Sequence, residues 1–208
     1  MQKFFLIFIY SFILRFFLKL VVGVKFDDTS FLENEEQFVI LPNHNSHLDT
    51  IAILASLPSS IIHKVKPVAA GDYFGKTKLI GWLSEYFVNA LLIQRKNLKN
   101  SASNSPLESM ESTLNDGYSL ILFPEGTRGE PEVMQSLKRG IAVVLAKREQ
   151  TPYIPVYMSG MGKNLPKGEK MIVPFNARVI YGKPTLISSS DSKEIISNIE
   201  HDILSLKG

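Results

Sequence analysis

The chain contains no cysteine, which removes disulfides, thiol nucleophiles and thiolate metal sites from consideration. Histidine is scarce, with four in 208 residues, and tryptophan occurs once. Charge is sparse and close to balanced, 23 Lys and Arg against 20 Asp and Glu. A formal net charge of +3 falls far short of the dense basic stripes that nucleic acid requires, so no nucleic-acid partner is expected. The same mild excess suits an anionic lipid surface. No G-x-S-x-G elbow is present, which leaves a serine hydrolase without its local support. Any base must therefore come from the few imidazoles and carboxylates.

What the chain does have is a strongly apolar start. Residues 1–24 are rich in Phe, Leu and Ile, interrupted by Ser11, Arg15 and Lys19 at i, i+4 and i+8. That spacing puts the interruptions on one narrow stripe of a helix whose other faces are aromatic and aliphatic. The reading favoured is a membrane-interface anchor helix over 1–24, with Lys3, Arg15, Lys19 and Lys25 near anionic head groups, ahead of a domain over 25–208. A cleaved leader, a spanning helix and a core-packed helix are the competing readings, but no small-x-small cleavage site follows Leu14. A spanning helix would have to accommodate Arg15 and Lys19.

Beyond residue 24, short β-forming runs at 38–41, 67–70, 88–93, 119–123, 153–157 and 171–181 alternate with helical spacing at 48–57, 74–86, 106–115, 133–148 and 193–206. Strands alternating with helices predict an α/β domain with a largely parallel sheet. Asp191, three residues before Glu194, predicts a capping box for the last helix.

The most informative segment is Asn43-His44-Asn45-Ser46-His47-Leu48-Asp49, between the first of these runs and a helical segment. On one helix His44 and Asp49 would point about 140° apart. They can meet only if His44 lies on the strand-end loop and Asp49 in the first helical turn. Asp49 could then accept from one ring nitrogen of His44 and leave the other free to take a proton. A turn histidine beside a helix-capping acid is the bland alternative. A metal site built on His44, His47 and Asp49 is another, although His63 and His201 lie in no recognisable ligand cluster.

A second segment, Leu120-Ile121-Leu122-Phe123-Pro124-Glu125-Gly126-Thr127-Arg128, runs from a strand into a glycine-containing turn. Gly126 permits a tight turn, Thr127 offers a hydroxyl, and Arg128 offers a planar fork suited to phosphate. The N-H-x-S-x-x-D and F-P-E-G-T-R blocks, in this order, resemble the lysophospholipid acyltransferase family, whose type member acylates lysophosphatidic acid. Two further blocks are similar to Ala90-Leu91-Leu92-Ile93-Gln94-Arg95 and Ile154-Pro155-Val156, so the resemblance covers roughly residues 38 to 160. Asn89, Gln94 and Gly129 depart from the common pattern.

The resemblance implies a single-domain α/β glycerolipid acyltransferase-like fold, with a mostly parallel central sheet flanked by helices. It implies an O-acyltransferase of phospholipid biosynthesis that moves a fatty acyl chain from acyl-CoA or acyl-carrier protein to the free hydroxyl of a lysophospholipid. The thioester is a co-substrate, and no cofactor or metal is expected. His44 and Asp49 are the expected catalytic pair, acting as a general base without a covalent intermediate. Arg95, Glu125, Gly126, Thr127 and Arg128 are the expected substrate-binding residues, and Lys138 is a weaker candidate for anion contact. The protein is expected at the cytoplasmic face of a membrane. A metal-dependent hydrolase and a catalytically silent lipid-binding protein are the competing classes.

Overall fold

The computed structural model of the chain describes residues 1–71, 85–93, 105–165 and 171–207. Seven strands, β1 (Val24–Phe26), β2 (Val39–Pro42), β3 (Val65–Ala70), β4 (Leu91–Ile93), β5 (Ser119–Ile121), β6 (Tyr153–Ser159) and β7 (Ala177–Tyr181), form one sheet in the order β1-β7-β6-β2-β5-β3-β4. Every pairing is parallel except β6 with β7. The helices are α1 (Gln2–Val22), α2 (Asp49–Ser56), α3 (Pro106–Asn115), α4 (Gly140–Ala146), α5 (Met161–Asn164) and α6 (Ser192–Ser205). Strand β2 is buried along its whole length, as an apolar run covered on both faces requires. One core, around α1 and α2, includes Leu6, Leu18, Ile40, Ile53 and Val179; the other, under α3, α4 and α6, includes Leu41, Leu114, Leu145 and Ile199.

The register fixes which loops share a sheet end. Pro42 pairs with Val156 in parallel, Ser159 with Arg178 in antiparallel, and Val24 with Ala177 in parallel. The carboxyl end of β2, the residues just before β7, and the junction of α1 with β1 therefore lie at one end of the sheet.

Helix α1 is governed by a four-residue repeat. Leu6, Tyr10, Leu18 and Val22 are buried in the core, and Leu14 packs against it. Phe4, Phe8, Phe12, Phe16 and Leu20 are exposed. On an α-helix every fourth residue advances about 40° around the axis, so such stripes would spiral off their faces. Wider i→i+5 turns over Ile9–Leu14 and Leu18–Val22 absorb the drift and keep each stripe on one side. Arg15 belongs to the inner side, contrary to its expected place among head groups. Its Nη1 donates to the carbonyl oxygens of Ala55 at 3.3 Å and Ser56 at 3.5 Å, the latter shared with Thr29 Oγ1, where the negative end of α2 attracts a cation. Lys19 remains exposed.

Three local expectations shift. Residues 133–139 are coil, and the expected helix starts only at Gly140. The backbone of this coil is claimed by the site described below. Residues 172–176 form no strand, and β7 begins at Ala177. Asp191 caps α6 through Lys193 N, while Glu194 accepts from Ser189 Oγ, so the reciprocal box is absent there. The reciprocal box belongs to α3, formed by Ser105 and Glu108. The expected helix over 74–86 falls largely outside the described residues.

Candidate active site

The site is built where β2 and β5, adjacent in the sheet, end side by side. Beyond Pro42 the chain wraps around a single carboxylate. Asp49, at the first turn of α2 and wholly buried, accepts through Oδ2 from the backbone N–H groups of Asn45 and Ser46, each at 2.8 Å. The same oxygen lies 2.9 Å from His44 Nδ1. Three donors thus converge on one oxygen, in a place where an unpartnered polar group would be costly. Because Asp49 can only accept, the bond assigns the imidazole proton to Nδ1 and leaves Nε2 as the basic nitrogen. The His44 side chain keeps 19% exposure, enough to reach a bound molecule.

The second motif grips the first by its backbone. Glu125, 1% exposed, accepts from His44 N at 2.7 Å through one oxygen and from Gln135 N at 2.9 Å through the other. Gly129 N donates to His44 O at 2.9 Å. Both main-chain polar groups of His44 are thus held by the turn that follows β5. The Phe123 ring stacks on the imidazole, with centroids 3.9 Å apart and planes 29° apart, and so fixes its tilt. Burial pushes the Glu125 carboxyl above its ordinary value, against the lowering effect of the two backbone donors.

Two asparagines extend the frame. Asn43 Oδ1 accepts from Met158 N at 2.6 Å, and its Nδ2 donates to Met158 O and to Asn45 Oδ1. Asn45 Nδ2 donates to the carbonyls of Glu130 and Val133. Lys138 N donates to Pro124 O at 2.8 Å. These bonds occupy the backbone of residues 130–138, which explains why that stretch is coil rather than the expected helix. The sequence marks Asn43 and Phe123 only as letters of their motifs, with no role assigned, and gives no signal for Asn45 or Gln135. A neutral amide gives no charge signal, and Phe123 reads as an ordinary strand residue until its ring is placed.

The other expected residues fall as follows. Gly126 adopts φ +73°, the left-handed region where glycine is favoured, and closes a turn by donating to Phe123 O at 3.0 Å. Thr127 is exposed, and Arg128 is half-buried. The His47 imidazole is held below its ordinary value, first by partial loss of hydration and then by the charges of Arg128 and His44. Lys138 is exposed, its stem close to Gly126. Arg95 lies outside the described residues. Among the described residues no group of three or more His, Asp or Glu side chains could hold a metal ion.

A single imidazole oriented by a buried carboxylate stands at the carboxyl ends of parallel strands and beside an arginine-bearing turn, an arrangement chemically able to take a proton close to a bound anion. The family model described as Acyltransferase matches residues 23–159, and the chain belongs to that family. It is 27% identical over 176 residues to the human 1-acyl-sn-glycerol-3-phosphate acyltransferase alpha, covering 82% of this chain and 59% of the human one. It is likewise 27% identical over 181 residues to a probable 1-acyl-sn-glycerol-3-phosphate acyltransferase of Mycoplasma pneumoniae, covering 79% of this chain and 64% of that one. The chain thus spans about three fifths of the length of these two relatives. The crystal structure of the 1-acyl-sn-glycerophosphate acyltransferase PlsC from Thermotoga maritima superposes with a TM-score of 0.78 at 22% identity, covering 99% of this chain and 80% of that one. The mostly parallel sheet flanked by helices is the fold of that protein.

Proposed function

We propose that the chain is an O-acyltransferase that moves a fatty acyl group from a thioester, acyl-CoA or acyl-carrier protein, to the free hydroxyl of a lysophospholipid. Lysophosphatidic acid, giving phosphatidic acid, is the acceptor favoured by the names of its relatives. The observation that carries the reading is the His44–Asp49 pair, whose histidine is held through its main chain by the arginine-bearing turn.

In the proposed reaction, His44 Nε2 takes the hydroxyl proton as the acceptor oxygen attacks the thioester carbonyl. Asp49 stabilises the imidazolium that forms. The tetrahedral adduct expels the thiolate, which takes the proton back from Nε2, so the ester and free thiol leave with the base restored. Arg128, with Thr127, Gly126 and Arg95, binds the acceptor phosphate and presents its hydroxyl to His44. The reaction takes place at the cytoplasmic face of a membrane, which the exposed aromatic stripe of α1 enters.

The test is a matrix of acyl-CoA and acyl-carrier-protein donors against lysolipids of different head group, read by mass spectrometry for the wild type and for His44→Ala. Thioester-dependent acylation of a phosphate-bearing lysolipid, lost in His44→Ala, is expected. A wild type that acylates nothing in the matrix yet binds lysolipid would replace the enzyme with a lipid-binding protein.

A further inference from the structure

The sheet end that carries His44 also carries an apolar rim that the proposed reaction does not use. Met171, Val173 and Phe175 are 76%, 51% and 42% exposed, while Ile172 among them turns inward and packs on the core. The segment is held in place by its backbone: Val173 N donates to Asn164 O at 2.9 Å and Phe175 N to Val22 O at 3.3 Å. The second bond joins it to the last residue of α1, where Leu20 and Val21 are also exposed. The rim therefore continues the outward aromatic stripe of α1 around the corner of the domain to the level of the catalytic loop. Cations border it. Lys19, Lys25 and Lys163 are exposed, and Lys163 Nζ lies 4.8 Å from the centroid of the Phe175 ring. Large apolar side chains held outward beside snorkelling lysines match the boundary between acyl chains and anionic head groups.

We infer that Met171, Val173 and Phe175 form a second lipid contact, entering an anionic bilayer beside the last turn of α1 so that the His44 end of the sheet faces the membrane. The inference rests on the proposed entry of α1 into lipid, but it adds something α1 alone does not supply. One helix lying in the interface leaves the domain free to roll about the helix axis, whereas two contacts on adjoining edges fix the roll. An acceptor whose acyl chain stays in the bilayer can then bring its hydroxyl to His44 without leaving the lipid.

The absence of cysteine makes the test direct. Single-cysteine variants Val173→Cys, Phe175→Cys, Phe12→Cys on the outer stripe of α1 and Asp116→Cys at the opposite sheet end are labelled with an environment-sensitive fluorophore. Each is then mixed with phosphatidylcholine–phosphatidylglycerol vesicles. A blue shift with several-fold gain in intensity is expected at 173, 175 and 12, and none at 116. Labels at 173 and 175 that stay water-like while the label at 12 enters lipid would overturn the second contact and leave α1 as a lone anchor. A shift at 173 and 175 that needs no vesicles and grows with protein concentration would overturn it in favour of a second copy. A water-like label at position 12 as well would overturn the membrane reading of α1 on which the inference rests.

Discussion

Glu125 holds His44 by the backbone rather than by the ring: its Oε1 accepts from His44 N at 2.7 Å, while its other oxygen accepts from Gln135 N. The carboxylate thereby joins the loop carrying the base to the coil closing the opposite side of the site. Glutamine fits the space but has one accepting oxygen, so Glu125→Gln must leave one buried N–H facing an amide donor. We expect the variant to fold and to lose kcat, through a misplaced His44, with acceptor KM changing less. Steady-state kinetics on both substrates would check it, and a full-rate variant would remove Glu125 from the positioning role.

The same residue predicts a pH signature. Burial raises the Glu125 pKa in the folded state, so the unfolded chain gives up this proton more readily than the folded one. Its contribution to stability is present in full below the unfolded value, about 4.3, and is lost as pH rises through the higher folded value. Relative to Glu125→Gln, the wild type should gain Tm as pH falls through that window. Paired thermal melts at about pH 4 and about pH 8 would read it, and a difference that widens in the opposite direction would contradict the burial argument.

His44 and His47 lie three residues apart and should behave differently. General-base catalysis contributes about 10² to 10⁴-fold, so His44→Ala should lower kcat by that factor and leave lysolipid binding in place. His47 is exposed and makes no bond to Asp49, so His47→Ala should do much less. Asp49→Asn should be severe, because an amide cannot stabilise the imidazolium and offers a donor where two backbone N–H groups need an acceptor. Equal losses at both histidines, with sensitivity to chelators, would favour the metal-dependent hydrolase.

Arg128→Lys keeps the charge and loses the fork. The KM for a phosphate-bearing acceptor should rise more than the KM for the thioester donor. The reverse pattern would move Arg128 to the donor side.

The two stripes of α1 should separate stability from membrane binding. Tyr10 is buried and donates through its hydroxyl to Phe87 O at 3.2 Å, so Tyr10→Ala should cost about 3–5 kcal/mol, as large core truncations do. Phe12 faces outward, and Phe12→Ala should change stability by no more than about 0.5 kcal/mol while weakening vesicle binding. Denaturant melts and vesicle flotation measure the two effects. A soluble-state stability loss at Phe12 equal to that at Tyr10 would mean that α1 has no free face.

The alternating strands, the apolar start and both chemistry-bearing motifs are legible in the chain because each is a local property. Period-two and period-3.6 patterning mark strands and helices, and the five-residue gap between His44 and Asp49 already demands a loop leading into a helix. Length of pattern misled in two places. The helical spacing over 133–148 predicts one helix, but Asn45, Glu125 and Pro124 take up the backbone of its first half. The apolar run over 171–181 predicts one strand, yet residues 172–176 find no ladder partner and only Ile172 among them turns inward.

The sequence by itself determined the α/β class, the loop-into-helix geometry in which alone His44 and Asp49 can meet, and the stripe of Ser11, Arg15 and Lys19 in α1, since spacing along one chain is enough to state each of them. Tertiary structure alone decided which stripe of α1 turns inward, because Arg15 finds its partners at the end of a helix 40 residues away. It alone also decided that Phe123 stacks on His44 and that Glu125 spans to Gln135, because strands β2 and β5 are adjacent in the sheet although some 80 residues separate them in the chain. Contacts made through a sheet register depend on which strands pair, and no local pattern carries that information.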